Sequence, residues 1–299
     1  MQEARSAIVI GGIIASLVIA CSSPRDQRPP STPGHDGVAG RDGTDADSDS
    51  DSDSESRPPP LVEGPVGAGG NHGIRTFDEA KKALLQIYAV APTKLDLYCG
   101  CAFLPEPGRG LRVDLSSCGY KPAKDAARAG RIEWEHAVPA AAFGHSFSEW
   151  REGADKCVDG KGKRFKGRKC ARTSAEFARI EGDLHNLFPV VGEVNGLRGD
   201  LPMGLPDPAH RDRTTFHFGA CSSAIESGVF MPRREVRGDL ARAYKYMDAA
   251  YPGLGLIDDA HRPIFDKWDA EDPPDDWERD RNRRITERQG NANRFIAER

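Results

Sequence analysis

Apolar residues recur at helical spacing between Phe77 and Tyr88, where Phe77, Ala80, Leu84, Ile87 and Tyr88 share one face. Thr76 precedes this run and Glu79 stands three residues beyond it, the pattern of a capping box, so a helix is predicted to begin at Phe77. Leu95 to Leu104, Leu111 to Leu115 and Arg131 to His136 are short and β-like. Another strand-like stretch covers Asp183 to Phe188, after which Pro189 is expected at an early position of a helix carrying Val190 to Leu197. Two more helices are predicted, over Asp239 to Tyr251 and over Pro274 to Arg288, the second dense in opposite charges. Strands and helices do not alternate regularly, which predicts an α+β fold and not a doubly wound parallel sheet.

The apolar run from Ala7 to Ile19, behind Arg5 and ahead of Ala20-Cys21, reads as an export signal too short to span a bilayer. Val18-Ile19-Ala20-Cys21 also resembles a bacterial lipobox, which predicts lipid on Cys21; an ordinary secretory signal with an incidental cysteine is the plainer alternative. Each buried CH₂ of a lipid chain contributes about 0.8 kcal/mol, so a multiply acylated Cys21 would hold the protein on a membrane. The expected location is therefore the bacterial outer membrane, on its periplasmic or surface face, and otherwise the periplasm or the medium. From Ser22 to about Gly70 the chain is Ser, Asp, Gly and Pro, with an Asp/Ser run at residues 47–55, and is too polar to bury a core. It reads as a tether with an r.m.s. span of roughly 40 Å, Ca²⁺ binding by the Asp/Ser run being the competing reading. The expected organisation is a signal over 1–21, an acidic tether over 22–70 and one folded domain over 71–299.

Charge and cysteine content change this picture in two ways. The net charge of −4 over 299 residues hides a division: residues 1–70 carry 5 basic and 11 acidic residues, leaving 37 against 35 and a net +2 for the folded part. A near-neutral domain neither excludes nor requires nucleic acid; only the arrangement of its charges can. Of seven cysteines, setting aside Cys21 leaves Cys99, Cys101, Cys118, Cys157, Cys170 and Cys221, an even set that in an exported protein suggests three disulfides of open connectivity. Zinc on Cys99, Cys101 and Cys118 is the alternative, although the one-residue gap departs from the usual ligand spacing.

Candidate chemistry concentrates in two segments. In Glu133-Trp134-Glu135-His136, strand alternation puts the two carboxylates on one face and His136 on the other. The second segment runs from Ile180-Glu181-Gly182-Asp183-Leu184-His185-Asn186 to Glu193-Val194-Asn195-Gly196-Leu197-Arg198. Together they offer carboxylate, amide and imidazole groups without cysteine, a set suited to a hard divalent cation such as Mg²⁺, with a histidine free to act as a base near neutral pH.

These stretches, together with Ala137-Val138-Pro139, Leu187-Phe188-Pro189 and Gly192, closely resemble the bacterial endonuclease I family of periplasmic or secreted nonspecific nucleases. Tyr98-Cys99-Gly100-Cys101, Ser117-Cys118-Gly119-Tyr120, Phe143-Gly144, Tyr244-Lys245-Tyr246-Met247 and Gln289-Gly290-Asn291 resemble the family as well, so the likeness extends from about Phe77 to Phe295. It implies a ββα-metal (His-Me) finger core embedded in a mostly helical single domain with disulfides. It also implies metal-dependent cleavage of DNA, with RNA as a further candidate, to 5′-phosphate products. By motif, His136 becomes the general base, and Glu135 and Asn195 the ligands of one Mg²⁺, with Mn²⁺ or Ca²⁺ as substitutes. Glu181 becomes a further active-site carboxylate that orients an arginine or a water. The family's phosphate-stabilising arginine before a cysteine maps to Arg168, with Arg164 in reserve.

The stretch Lys161 to Cys170 is longer and more basic than usual, and Lys163, Arg164, Lys166 and Lys169 are its candidate nucleic-acid contacts, the alternative being a solvated loop. Family members often carry a cysteine where Glu149 stands here, so Cys157 is expected to replace it as the partner of Cys170. The lipobox and tether lie outside the resemblance, and no partner protein is deducible. His185 and Asn186 are expected to brace the core, and His145 to lie on the surface. Two other classes compete: a catalytically silent nucleic-acid-binding lipoprotein, and a zinc hydrolase of another ester. Intact His136, Glu135 and Asn195 speak against the first, and the lack of well-spaced His or Cys ligands against the second.

Overall fold

A computed structural model describes residues 69–106, 110–206 and 215–297; Cys21, the export signal and nearly all of the tether lie outside the described residues. The Thr76 hydroxyl accepts the Glu79 N–H at 3.2 Å and starts α1 (Phe77–Ala89) where the pattern predicts it. The reciprocal half of the capping box is displaced: the Glu79 carboxylate takes the N–H and guanidinium of Arg75 and not the N–H of Thr76. The predicted strand over Leu95 to Leu104 shortens to β1 (Ala102–Glu106), which pairs antiparallel with β2 (Gly110–Asp114). Asp96 keeps the preceding segment out of the sheet, because its carboxylate accepts the backbone N–H groups of Tyr98, Cys99 and Cys101.

A short helix, α2 (Ala126–Ala129), leads into β3 (Ile132–His136). Four further helices follow: α3 (Ala140–Gly144), α4 (Ser148–Arg151), α5 (Arg168–Ala171) and α6 (Ala175–Glu181). The chain then returns as β4 (Leu187–Val191), antiparallel to β3 with Trp134 opposite Pro189 and His136 opposite Leu187, and runs directly into α7 (Gly192–Arg198). Here the structure corrects the pattern: the strand starts later than predicted and Pro189 lies within it, not in the helix. The Pro189 carbonyl points outward and accepts the Leu97 N–H at 2.9 Å. Its nitrogen therefore faces the same outer edge, where β3 needs no donor. All five residues of β4 are buried.

Three short strands, β5 (Phe216–Phe218), β6 (Cys221–Glu226) and β7 (Val229–Met231), form a separate antiparallel sheet. Three longer helices follow, α8 (Arg237–Ala250), α9 (Arg262–Glu271), which the pattern did not reveal, and α10 (Asp276–Gln289), before a final short helix α11 (Arg294–Ala297). Buried Arg242 of α8 ties these three together through Asp269, Glu278 and the Asp272 carbonyl. The β3–β4 ribbon lies between two apolar clusters. Leu187 joins the cluster under α1 with Leu84, Ile87 and Phe103, while Phe188 and Val190 join the larger one with Phe143, Phe177, Leu240 and Trp268.

All six cysteines of the folded part are paired: Cys99 with Cys221, Cys101 with Cys118, and Cys157 with Cys170. The zinc reading of Cys99, Cys101 and Cys118 falls, since a metal-binding cysteine needs a free thiolate. The whole is an α+β arrangement of helices and three small antiparallel sheets among the described residues.

Candidate active site

The alternation of β3 sends Trp134 and His136 toward α1, and Glu133 and Glu135 toward α7. His136 is only 6% exposed, its ring 5.0 Å from that of Phe77. Its Nε2–H donates to the Glu181 carbonyl at 2.9 Å. A carbonyl can only accept, so this contact assigns the proton to Nε2 and leaves the lone pair on Nδ1. Nδ1 faces the Arg168 guanidinium, with Nη2 3.5 Å away. Burial, reinforced by the positive charges of Arg168 and Arg172, holds the His136 pKa well below the usual histidine range despite the opposing pull of the carbonyl. The ring is neutral at physiological pH.

Glu181 closes α6, and its side chain is almost wholly buried. Arg168 donates from Nε to Oε1 at 2.6 Å, and Arg172 donates from Nε to Oε1 and Oε2 at 2.9 and 3.0 Å. Both guanidinium groups lie over the Phe77 ring, 5.5 and 5.8 Å from its centroid. Because Nε makes each contact with Glu181, the outer Nη groups are left to face other partners. The structure therefore brings Arg168 to His136 and Glu181, whereas Arg164 pairs at the surface with Asp155 at 2.7 Å. Lys163, Lys166 and Lys169 are exposed on the loop that the Cys157–Cys170 bond closes, with Lys169 Nζ 4.8 Å from the centroid of the Phe165 ring.

On the other side of β3, Glu135 Oε1 accepts the Tyr98 hydroxyl at 2.9 Å and Arg198 Nη1 at 3.0 Å. Burial raises the Glu135 pKa above the usual carboxyl range, against the opposing effects of Arg198 and Tyr98. Arg198 is itself buried and binds the His136 and Ala137 carbonyls, each at 2.9 Å, so one guanidinium sets the end of β3. Asn195 donates from Nδ2 to Glu133 Oε2 at 2.9 Å. Asn195 and Arg198, three residues apart on α7, share a helix face just as Glu133 and Glu135 share a strand face. Glu135 Oε2 and Asn195 Oδ1 accept no hydrogen bond from the described residues. Among those residues no group of three or more His, Cys, Asp or Glu side chains is placed to hold a metal ion. A carboxylate and an amide oxygen fit a hard cation that keeps much of its water, as Mg²⁺ does, and do not fit a closed zinc site.

His185 and Asn186 lie behind the site. The Nε2–H of His185 donates to the Asn291 carbonyl at 3.0 Å, and Asn186 exchanges two hydrogen bonds with the backbone of Val138. His145 is exposed beside Trp150. Arg172 escaped sequence reasoning, and Phe77, Tyr98 and Arg198 were read there as a helix face, a family stretch and part of a candidate segment without a role in the site. Arg172 carried a usable signal, since it stands one helical turn after Arg168. Nothing local marked Phe77 or Tyr98 for the site, because only the tertiary fold brings them to His136 and Glu135.

The sequence pattern of the family described as Endonuclease I matches residues 76–299. An extracellular deoxyribonuclease of Aeromonas hydrophila is 41% identical over 243 residues, covering 79% of this chain and 93% of its own length. A periplasmic deoxyribonuclease of the same organism is 42% identical, covering 74% of this chain and 85% of its own length. Endonuclease-1 of Buchnera aphidicola subsp. Acyrthosiphon pisum (strain APS) is 34% identical, covering 75% and 81%.

Proposed function

Because the chain belongs to the endonuclease I family, we propose that it is an exported endonuclease hydrolysing phosphodiester bonds of DNA, and also of RNA, to 5′-phosphate products with one Mg²⁺. DNA as substrate and a location outside the cytoplasm are supported by relatives named extracellular and periplasmic deoxyribonucleases. In this reading β3, β4 and α7 form the ββα-metal core.

The observation that carries the mechanism is the His136 ring, protonated on Nε2 by its bond to the Glu181 carbonyl and unprotonated at Nδ1, where Arg168 Nη2 stands 3.5 Å away. Nδ1 takes a proton from the attacking water as the water's oxygen bonds to phosphorus and the P–O3′ bond breaks, the leaving 3′ oxygen taking its proton from solvent. Arg168 donates from its outer nitrogens to the phosphate oxygens, which gain negative charge as the attack proceeds. Glu181 holds Arg168 and Arg172 by their Nε atoms, so both guanidinium groups are oriented before substrate arrives. Glu135 Oε2 and Asn195 Oδ1 would hold the Mg²⁺. When bound, the ion neutralises charge on the scissile phosphate and the leaving 3′ oxygen. Lys163, Arg164, Lys166 and Lys169 add sequence-independent phosphate contacts, as a nonspecific nuclease requires.

The nuclease domain in this reading is 71–299, carried on the 22–70 tether from a lipid-modified Cys21 at the outer membrane. Mass spectrometry of the mature N-terminus tests the anchor: an unmodified terminus at any other residue refutes it. For the activity, disulfide-bonded protein is incubated with supercoiled plasmid and Mg²⁺ in parallel with EDTA and with His136→Ala. Nicking that disappears in both controls is expected, whereas persistent nicking by His136→Ala would remove the base assignment.

A further inference from the structure

We propose that Glu133 is a positioning residue which, clamped by Arg128 and Arg131, turns the Asn195 amide so that its oxygen faces the cation. This rests on the reading of Asn195 and Glu135 as the protein ligands of the metal. Glu133 is not itself a ligand: its carboxylate is engaged by three side chains. Arg128 donates from Nε to Oε1 at 2.9 Å and from Nη2 to Oε2 at 2.7 Å, Arg131 from Nε to Oε1 at 3.0 Å, and Asn195 from Nδ2 to Oε2 at 2.9 Å.

An amide has two distinguishable ends, and only the oxygen can bind a cation. An ionised carboxylate only accepts, so Asn195 must meet Glu133 with its NH₂, which sends Oδ1 away from Glu133. The flipped amide would set its oxygen against a carboxylate. The Glu133 and Arg128 side chains are only 18% and 22% exposed, so the pair is shielded more than a surface ion pair.

The glycines of α7 point the same way. A side chain at Gly196 would fall on the Arg128 guanidinium, and a Cβ at Gly192 would come 2.7 Å from Glu133 Oε1 and from the Arg128 carbonyl oxygen. Four residues apart, the two glycines leave one face of α7 bare, so the Arg128–Glu133 pair lies flat against the helix beside Asn195. Glu193 fixes the approach from the other end by accepting the N–H groups of Ala123, Lys124 and Asp125 just before α2, which carries Arg128.

The test is Mn²⁺ binding to the oxidised mature protein, read from the EPR signal of free Mn²⁺, with thermal melting to confirm folding. Asn195→Ala and Glu135→Ala are each expected to weaken binding; wild-type affinity in both would overturn the ligand assignment and this proposal with it. Glu133→Gln offers Asn195 both a donor and an acceptor and so frees the amide to flip. It is expected to weaken binding about ten- to a hundredfold, as loss of a group that orients a metal ligand does. In an Asn195→Asp background the two ligand oxygens are equivalent, and Glu133→Gln is expected to cause no loss. Unchanged affinity in Glu133→Gln, or an equal loss in both backgrounds, would overturn the positioning role while leaving the metal site standing. Gly196→Ala displaces Arg128 without altering Glu133 or Asn195. It is expected to weaken Mn²⁺ binding about tenfold, and it keeps the question open to measurement if Glu133→Gln does not fold.

Discussion

A histidine that takes a proton from water, the role proposed for His136, must be neutral and must offer the correct nitrogen, and both conditions come from the surroundings of the ring. Burial and two arginines keep the ring uncharged, and the Glu181 carbonyl holds the proton on Nε2. The two arginines have unequal access: Arg168 reaches His136 Nδ1, while Arg172 stands farther out against the same carboxylate. Arg168→Ala is expected to lower kcat by about 10²–10³, the usual cost of one preorganised donor, and Arg172→Ala by less; a larger loss in Arg172→Ala would exchange their roles. His185 makes a separate prediction for stability. Burial lowers its pKa to about 4, against the opposing pull of Asp183. Because the folded value lies below the ordinary value near ~6.5, the unfolded chain takes up the proton first as pH falls, and stability present above pH ~6.5 is lost down to about pH 4. The stability difference between wild type and His185→Gln should therefore shift by about 2 kcal/mol between pH 7.5 and pH 5 in urea unfolding. A constant difference would show that His185 is protonated equally in both states.

At the scale of elements, the short helix α5 holds Arg168 in place through a covalent tie, because Cys170 lies on it and Cys157 anchors the far end of the basic loop. Closing a loop of 13 residues is worth about 3 kcal/mol by chain entropy. The double variant Cys157→Ser, Cys170→Ser should lose stability of that order in calorimetry and show a raised KM for plasmid DNA. Retention of both would mean that the loop is held by other contacts. The three longer C-terminal helices depend instead on a buried charge. Truncating Arg242 strips buried Glu278 of its ion-pair partner, while Asp269 keeps Lys245 at 3.0 Å, so Arg242→Ala is expected to cost about 3 kcal/mol. Chemical denaturation measures it, and a cost below about 1 kcal/mol would mean that water replaces the guanidinium.

For the whole molecule, net charge is a poor guide to partners, since a folded part of about +2 conceals a basic loop beside Arg168 and Arg172. Each neutralised phosphate releases condensed counterions, so affinity for a DNA duplex should fall steeply with salt. Replacing Lys163, Lys166 and Lys169 together by alanine should reduce the slope of log Kd against log salt by roughly one for each phosphate that is no longer neutralised. A slope identical to wild type would place the DNA elsewhere on the surface.

Much of this protein was legible before folding was considered. Period and capping located α1, α8 and α10, alternation placed Glu133 and Glu135 opposite His136, and ordered motifs carried the family. These are local properties, written in the spacing of neighbouring residues. Three things were decided only by tertiary structure. Pro189 became a strand residue because its edge faces Leu97 and not β3. The motif put Arg168 ahead of Arg164, but its place beside His136 depends on Glu181, which comes from another helix to hold it. The Cys157–Cys170 bond was expected, but the other four cysteines found their partners only because folding brought together Cys99 and Cys221, 122 residues apart. Spacing along a chain records which residues share a helix turn or a strand face; it does not record which distant carbonyl, carboxylate or thiol will arrive on the other side.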